Sequence, residues 1–310
     1  MQYDLVIIGG GPAACAAAVY AARKQLHTLL VAEEIGGQSS VSHTIYNWIG
    51  TPEISGTDLA SNLRKHVEQY IGEGNTLTLM TGARAESIQK TDAGFSVSIS
   101  GKEAVSAKTA LIATGSRRRK LEVPGSDTFE YKGVMYCATC DGPLYADLPV
   151  AIVGGGNAAI DGALQLAQYA TNVTLLHRSP TFRADPISVK QVQKLPNVSI
   201  HTSVDILEVK GDQFVTSVSF KDKETGEVSE IPVSAVFVEI GQLPNTEFAK
   251  DVTEIDEHGK IVVDPMNQRT KTAGIWAAGD CTNGLYHQNN IAAGDAVKAI
   301  EDLFSWIKTH

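Results

Sequence analysis

Tyr3-Asp4-Leu5-Val6-Ile7-Ile8-Gly9-Gly10-Gly11-Pro12-Ala13-Ala14 opens a chain of 310 residues. The first half of this stretch is a short β-branched run, and the second half spells Gly-x-Gly-x-x-Ala. An alanine-rich helical stretch follows to Lys24, then a second strand from Thr28 to Ala32. In a strand–loop–helix–strand of this kind Gly9 permits the tight turn and Gly11 lets the backbone approach a pyrophosphate. The small third residue, Ala14, allows helix and strand to pack closely, and the phosphates rest on the helix N-terminus. A lone match of this pattern is weak, but here the flanking elements are present.

The unit recurs. Val150-Ala151-Ile152-Val153 leads into Gly154-Gly155-Gly156-Asn157-Ala158-Ala159, a helix to about Tyr169 and a strand from Val173 to Leu176. The downstream ends match as well. Ala110-Leu111-Ile112-Ala113-Thr114-Gly115 in the first copy resembles Ala235-Val236-Phe237-Val238-Glu239-Ile240-Gly241 in the second. The fold expected is α/β, with two Rossmann-like three-layer dinucleotide-binding domains.

The copies differ at one informative offset. Glu33 falls 22 residues after Gly11, and Arg178 falls 22 residues after Gly156. A carboxylate there accepts hydrogen bonds from a free ribose, whereas an arginine suits a 2′-phosphate. Arg183 supplies a second cation nearby. FAD is therefore expected on the first loop and NADPH on the second. The alternative is that Arg178 is a solvated strand-end charge and the second nucleotide is NADH. After Gly241 the chain returns to the first domain through Gly274-Ile275-Trp276-Ala277-Ala278-Gly279-Asp280. A helix near Asn289 follows, with Ile291, Ala292, Ala296, Val297, Ile300, Leu303 and Phe304 at helical spacing. The second domain is thus inserted in the first. Residues 1–116 and 247–310 form the FAD-binding domain and 117–246 the NADPH-binding domain, with linkers near Ser116–Lys120 and Gln242–Thr246 as a hinge.

A formal charge of −9 argues against a nucleic-acid surface. No apolar run reaches the roughly 18 residues of a membrane helix, and Tyr3–Ile8 reads as a strand, not a signal peptide. Four cysteines without a leader predict a reducing, cytoplasmic setting.

Between the two glycine loops lies Cys137-Ala138-Thr139-Cys140-Asp141. A structural zinc site needs four ligands, and neither Cys15 nor Cys281 belongs to a second pair, so no metal is expected and redox chemistry is. Cys15, amid alanines, reads as a packing residue, and Cys281 as structural. Asp141 either caps a helix or acts as the acid/base that protonates a leaving thiolate. Arg117-Arg118-Arg119-Lys120 reads as a solvated run or as a docking patch for an acidic partner.

With these loops and Cys-Ala-Thr-Cys-Asp-Gly in this order, the chain resembles low-molecular-weight thioredoxin reductases. It is also similar to the reductase core of alkyl hydroperoxide reductase flavoproteins. The resemblance implies FAD contacts at Gly9, Gly11, Pro12, Ala13, Glu33, Gly37, Gln38, Asn47, Ala113, Thr114, Gly115, Gly279, Asp280, Gln288 and Asn289. It implies NADPH contacts at Gly154, Gly156, Asn157, Ala158, His177, Arg178, Arg183, Ile240 and Gly241. It further implies that Cys140 is the sulfur nearer the flavin, that Cys137 attacks the protein substrate, and that the protein is a homodimer. The function expected is an NADPH-dependent thioredoxin-disulfide reductase, with Cys137, Cys140 and Asp141 catalytic and a thioredoxin-like protein as partner. Two alternatives stay open: an NAD(P)H-dependent reductase of a peroxiredoxin or glutaredoxin-like partner, and a ferredoxin-linked flavin disulfide reductase that ignores nicotinamide. Ser179, His287 and Pro143-Leu144 depart from the thioredoxin reductase pattern, where an arginine, an arginine and a paired aromatic are usual.

Overall fold

The computed structural model describes residues 2–41, 45 and 47–309, without the side chains of Val41, Thr139 and Cys140. It begins with β1 (Gln2–Ile8), α1 (Pro12–Arg23), β2 (Thr28–Ala32), α2 (Gly56–Glu68) and β3 (Leu77–Thr81). β4 (Ala85–Thr91), β5 (Gly94–Ile99) and β6 (Val105–Ile112) follow. β1 pairs parallel with β2 on one side and β6 on the other. A strand covered on both faces must be apolar throughout, and Leu5 to Ile8 are all buried. Among the described residues the sheet order is β3-β2-β1-β6-β5-β4, the last two strands antiparallel. α1 buries Ala13, Ala14, Ala17, Ala18, Ala21 and Ala22. Side chains this small combine high helix propensity with close approach to the sheet beneath.

β7 (Ser116–Arg118) precedes β8 (Val134–Met135), α3 (Ala138–Asp141), β9 (Pro149–Val153), α4 (Asn157–Leu166) and β10 (Asn172–Leu176). Then come α5 (Pro186–Val192), β11 (Val198–His201), β12 (Val204–Gly211), β13 (Val215–Asp222), β14 (Val228–Pro232) and β15 (Ala235–Val238). Their parallel sheet runs β11-β10-β9-β15-β8, and β12-β13-β14 form an antiparallel sheet. The arrangement of β3-β2-β1-β6 is therefore repeated by β11-β10-β9-β15. β16 (Gln242–Pro244) forms a two-stranded sheet with β7. β17 (Ile275–Ala277) adds to β6 in parallel, and α6 (Asn289–Ile307) ends the chain's regular structure.

α6 buries Ala292, Ala296, Ala299, Ile300 and Leu303 against the layer that holds α1. Ile291, expected on that face, is 38% exposed. It stands about 100° round the helix from Ala292, and the small-residue stripe, not the bulkier one, meets α1.

The chain divides into two compact units, Met1–Arg117 with Leu243–His310, and Arg118–Gln242. Among the described residues no helix is long and apolar enough to cross a membrane.

Candidate active site: two glycine loops and a dithiol

In the first unit the parallel strands end side by side. Gly9 donates its amide to the Val31 carbonyl at 2.9 Å, Ala113 to Ile8 at 2.8 Å and Ala278 to Ile112 at 2.9 Å. The turn at Gly9 has φ +130°, and a methyl there would overlap the Ala113 carbonyl. Gly36 donates to Gly10 at 2.8 Å, and a Cβ on Gly37 would lie 2.9 Å from the Gly11 Cα. Gly279 sits against Ala13 and Ala292. Gly9, Gly11, Pro12, Ala13, Gly37, Ala113 and Gly279 thus line one edge, the carboxyl ends of the strands, where dinucleotides bind in such sheets. Glu33 is exposed just past β2, and Gln38 is exposed on the turn after Gly37.

The start of α6 closes the same unit. Ser39 Oγ donates to Asn289 Oδ1 at 2.8 Å, and Asn47 Nδ2 to Gln288 Oε1 at 3.0 Å. Asn290, which no sequence motif marks, clamps the 47–49 segment: its Nδ2 donates to the Asn47 carbonyl at 2.7 Å and its Oδ1 accepts from the Ile49 amide at 3.3 Å. Thr114 and Gly115 are tied to another unmarked residue, Asn245. Thr114 Oγ1 donates to its carbonyl at 2.6 Å, its amide donates to Gly115 at 3.0 Å, and its Nδ2 returns to the Thr114 carbonyl at 3.1 Å. Asp280 Oδ1 lies 3.4 Å from His287 Nδ1, whose Nε2 accepts from Lys260 Nζ at 2.9 Å.

The second unit repeats the turn. Gly154 has φ +153°, and a methyl there would overlap the Glu239 carbonyl. Gly155 is covered by the His177 ring, while a Cβ on Gly156 would meet nothing within 4 Å. Arg183 donates its amide to Gly155 at 2.9 Å, and Asn157 Oδ1 accepts from the Asp185 amide at 2.8 Å. His177 is buried, stacks on Phe182 at 5.1 Å, and donates Nε2–H to the Thr181 carbonyl at 3.1 Å. Burial holds its pKa below the usual imidazole value, and the positive Arg183, Arg178 and Lys223 press the same way. Lys223, also absent from the sequence motifs, donates to the Arg178 carbonyl at 2.9 Å. Arg178 and Arg183 are exposed and make no ion pair among the described residues. Ala158 is exposed on the first turn of α4, and Gly241 turns past Ile240 with φ +103°.

Neither α1 nor α4 has a side-chain cap. Gly11 and Gly156 are their N-caps, and no acidic residue sits in either first turn. α2 and α5 are capped by Ser55 and Asp185. Uncapped first-turn amides beside a glycine are what a phosphate needs. Both cradles fit an extended dinucleotide.

The dithiol segment follows β8 in the second unit. Cys137 is half-buried and disulfide-bonded, and the side chain of Cys140 lies outside the described atoms. The Asp141 amide donates to the Cys137 carbonyl at 3.0 Å, and Asp141 is 9% exposed. A Cβ on Gly162 would lie 3.0 Å from the Ala138 Cβ, so the segment rests on α4 where that helix lacks a side chain. Cys15 and Cys281 are free and buried; burial pushes their thiols up to about 12 and about 11. Inert thiols of that kind pack and do not react. The basic run is ion-paired: Arg117 with Glu247 at 2.9 Å, Arg118 with Glu239 at 3.4 Å and Lys120 with Glu130 at 2.7 Å. Arg117, Arg119 and Lys120 are nonetheless exposed, so the run is solvated and three of its four cations face carboxylates.

Residues 3–296 match the family model for pyridine nucleotide-disulphide oxidoreductases. The F subunit of alkyl hydroperoxide reductase in Staphylococcus epidermidis is 39% identical over 305 residues, covering 98% of this chain and 59% of the relative. The chain thus spans about three fifths of the length of the curated relatives it matches. Among solved structures, a thioredoxin reductase from Streptococcus pyogenes superposes with a TM-score of 0.81 at 31% identity, covering 100% of this chain and 99% of that one. One from Lactococcus lactis gives 0.77 at 32% over 100% of both chains. The chain belongs to the pyridine nucleotide-disulphide oxidoreductases, as a flavoprotein of the thioredoxin reductase and alkyl hydroperoxide reductase type that uses FAD and NAD(P)H.

Proposed function

We propose that this chain is an NADPH-dependent reductase of a thioredoxin-like protein, with Cys137 and Cys140 as the exchanging sulfurs. The observation that carries the nucleotide choice is the pair of exposed arginines, Arg178 and Arg183, next to the open Gly156 cradle. Two guanidinium groups that make no ion pair among the described residues suit a 2′-phosphate through charge-assisted bonds. Glu33 at the matching offset suits the ribose of FAD. On this reading residues 1–116 and 247–310 hold FAD, 117–246 hold NADPH, and the protein works as a homodimer in the cytoplasm.

FAD, when bound, supplies the two-electron relay between nicotinamide and the sulfur pair. Gly9, Gly11, Ala13, Gly37, Ala113 and Gly279 form its cradle; Gly154, Gly156, Asn157 and His177 form that of NADPH. Once the pair is reduced, the Cys137 thiolate attacks the partner's disulfide, one partner sulfur leaves and takes a proton, and a mixed disulfide forms. Cys140 then displaces the second partner sulfur and restores the internal disulfide. Asp141, buried beside the pair, is the proton donor in this scheme.

A second reading has its own support. The curated relatives at 39–40% identity are F subunits of alkyl hydroperoxide reductases, which points to a peroxiredoxin as acceptor. Anaerobic titration with NADPH and NADH, followed by thioredoxin or a peroxiredoxin, separates the two. The proposal expects flavin bleaching by NADPH in preference and reoxidation by thioredoxin. A flavin that NADPH leaves coloured defeats it. In Cys137→Ser, bleaching persists while acceptor turnover falls by about 10³-fold or more.

A further inference from the structure

Glu239 is a carboxylate inside an apolar strand end, and none of the steps proposed for the dithiol uses it. Its amide continues the β15–β9 ladder, donating to Val153 at 2.8 Å, and its carbonyl packs on Gly154, the first glycine of the second loop. Its side chain is 8% exposed. It accepts the backbone amide of Ala138, the residue directly after Cys137, and it faces Arg118 Nη1 at 3.4 Å. Arg118 is the charged side chain that acts on it among the described residues. Asp141, on the dithiol's own turn, is also a buried carboxylate. A hydrogen-bond acceptor for one amide could be a serine or an asparagine; a buried carboxylate adds a charge that can come and go.

We propose that Glu239 is a positioning and charge-setting residue of the dithiol: it fixes the Ala138 amide and, by being ionised or neutral, sets how readily Cys137 forms a thiolate. Burial outweighs the arginine and the amide and pushes its carboxyl up to about 7, so its charge changes near neutrality. Opening the disulfide breaks one S–S bond and takes up two electrons from the reductant. One proton goes to one sulfur. The second goes to Glu239 while Cys137 stays a thiolate, because an ionised Glu239 on the amide that follows Cys137 is a like charge that disfavours the thiolate.

The inference rests on the redox reading of the dithiol, not on which nucleotide or partner it serves. Its test therefore uses a chemical reductant. Wild type and Glu239→Gln are equilibrated in dithiothreitol redox buffers from pH 6 to 8.5, and Cys137 is read by alkylation and peptide mass spectrometry. Glutamine still accepts the amide but carries no charge. The alkylation profile of wild type should inflect near pH 7 in addition to the thiol's own inflection, and the variant should lose the first and shift the second to lower pH. The disulfide–dithiol equilibrium should move about tenfold toward the reduced form, about 30 mV for two electrons. Superimposable profiles and equilibria would reduce Glu239 to a packing role and overturn the proposal. Should Glu239→Gln fail to fold, Arg118→Met removes the cation instead; the inflection should then rise in pH, and an unmoved one overturns the proposal equally. A pair that dithiothreitol opens but NADPH and flavin do not would defeat the proposed function and leave this inference standing.

Discussion

The two glycine loops are the same backbone answer given twice, and they differ in what stands at the end of the next strand. Gly9 and Gly154 both adopt positive φ under a neighbouring carbonyl, and Gly11 and Gly156 both begin a helix that no side chain caps. One unit then presents Glu33; the other presents His177, Arg178 and Arg183. Cradling a pyrophosphate is work for amides and so is indifferent to sequence beyond glycine. Telling one nucleotide from another is work for side chains, and this is where the copies part.

The largest effect should come from attacking what the loops share. A methyl at Gly9 meets the Ala113 carbonyl and one at Gly154 meets the Glu239 carbonyl, each at a positive φ. Gly9→Ala and Gly154→Ala should each cost about 2–4 kcal/mol of stability. Gly9→Ala should emerge with little bound flavin, whereas Gly154→Ala should stay yellow but bind nicotinamide poorly. If both lose flavin alike, the division of labour between the loops is wrong.

Next comes what the loops do not share. Arg178→Ala and Arg183→Ala should each raise the KM for NADPH about 10–100-fold, the worth of one charge-assisted bond, and leave that for NADH nearly unchanged. Steady-state kinetics with both nucleotides decides it. An equal loss for both would make these arginines general anchors.

A smaller effect concerns His177. Its folded pKa lies below the ordinary 6.5 because of burial and three nearby cations. The unfolded chain therefore binds more protons, so this contribution to stability is full above about pH 6.5 and is lost as pH falls through the folded value. Urea midpoints measured from pH 5 to 7.5 should drop on the acid side, and His177→Gln should flatten the slope. The first loop, lacking such a histidine, should retain flavin over the same range. The smallest change is Ser179→Arg, which adds a third arginine beside Arg178 and Arg183 and should lower the KM for NADPH a few-fold. No improvement would mean that Lys223 already fills that place.

Much of this was legible in the chain. Positive-φ glycines after a buried run announce themselves, since few other residues tolerate that geometry, and the repetition at Gly154 removed the ambiguity of a single motif. The ion pairs of Arg117 and Arg118 were not legible, because Glu247 and Glu239 lie more than a hundred residues away in sequence. A run of four cations looks unpaired until its distant partners are known. Ile291 misled for another reason: periodicity names the stripe but not which edge of it faces α1. Glu239 did leave a signal. It is the one charged residue in Ala235-Val236-Phe237-Val238-Glu239-Ile240, and an ionisable group in a run otherwise fit for a sheet interior asks for a reason. Asn290 and Asn245 left none, since an asparagine's partners are set by tertiary structure alone.

Gly162 has a consequence of its own. Where α4 offers no side chain, the turn bearing Cys137 leans on it, and that same helix springs from Gly156. A tilt of this single rod would displace sulfur and phosphate seat in concert, so selection acting on one inherits the other. Swapping in a bulkier residue at 162 would report on that shared mounting at both ends.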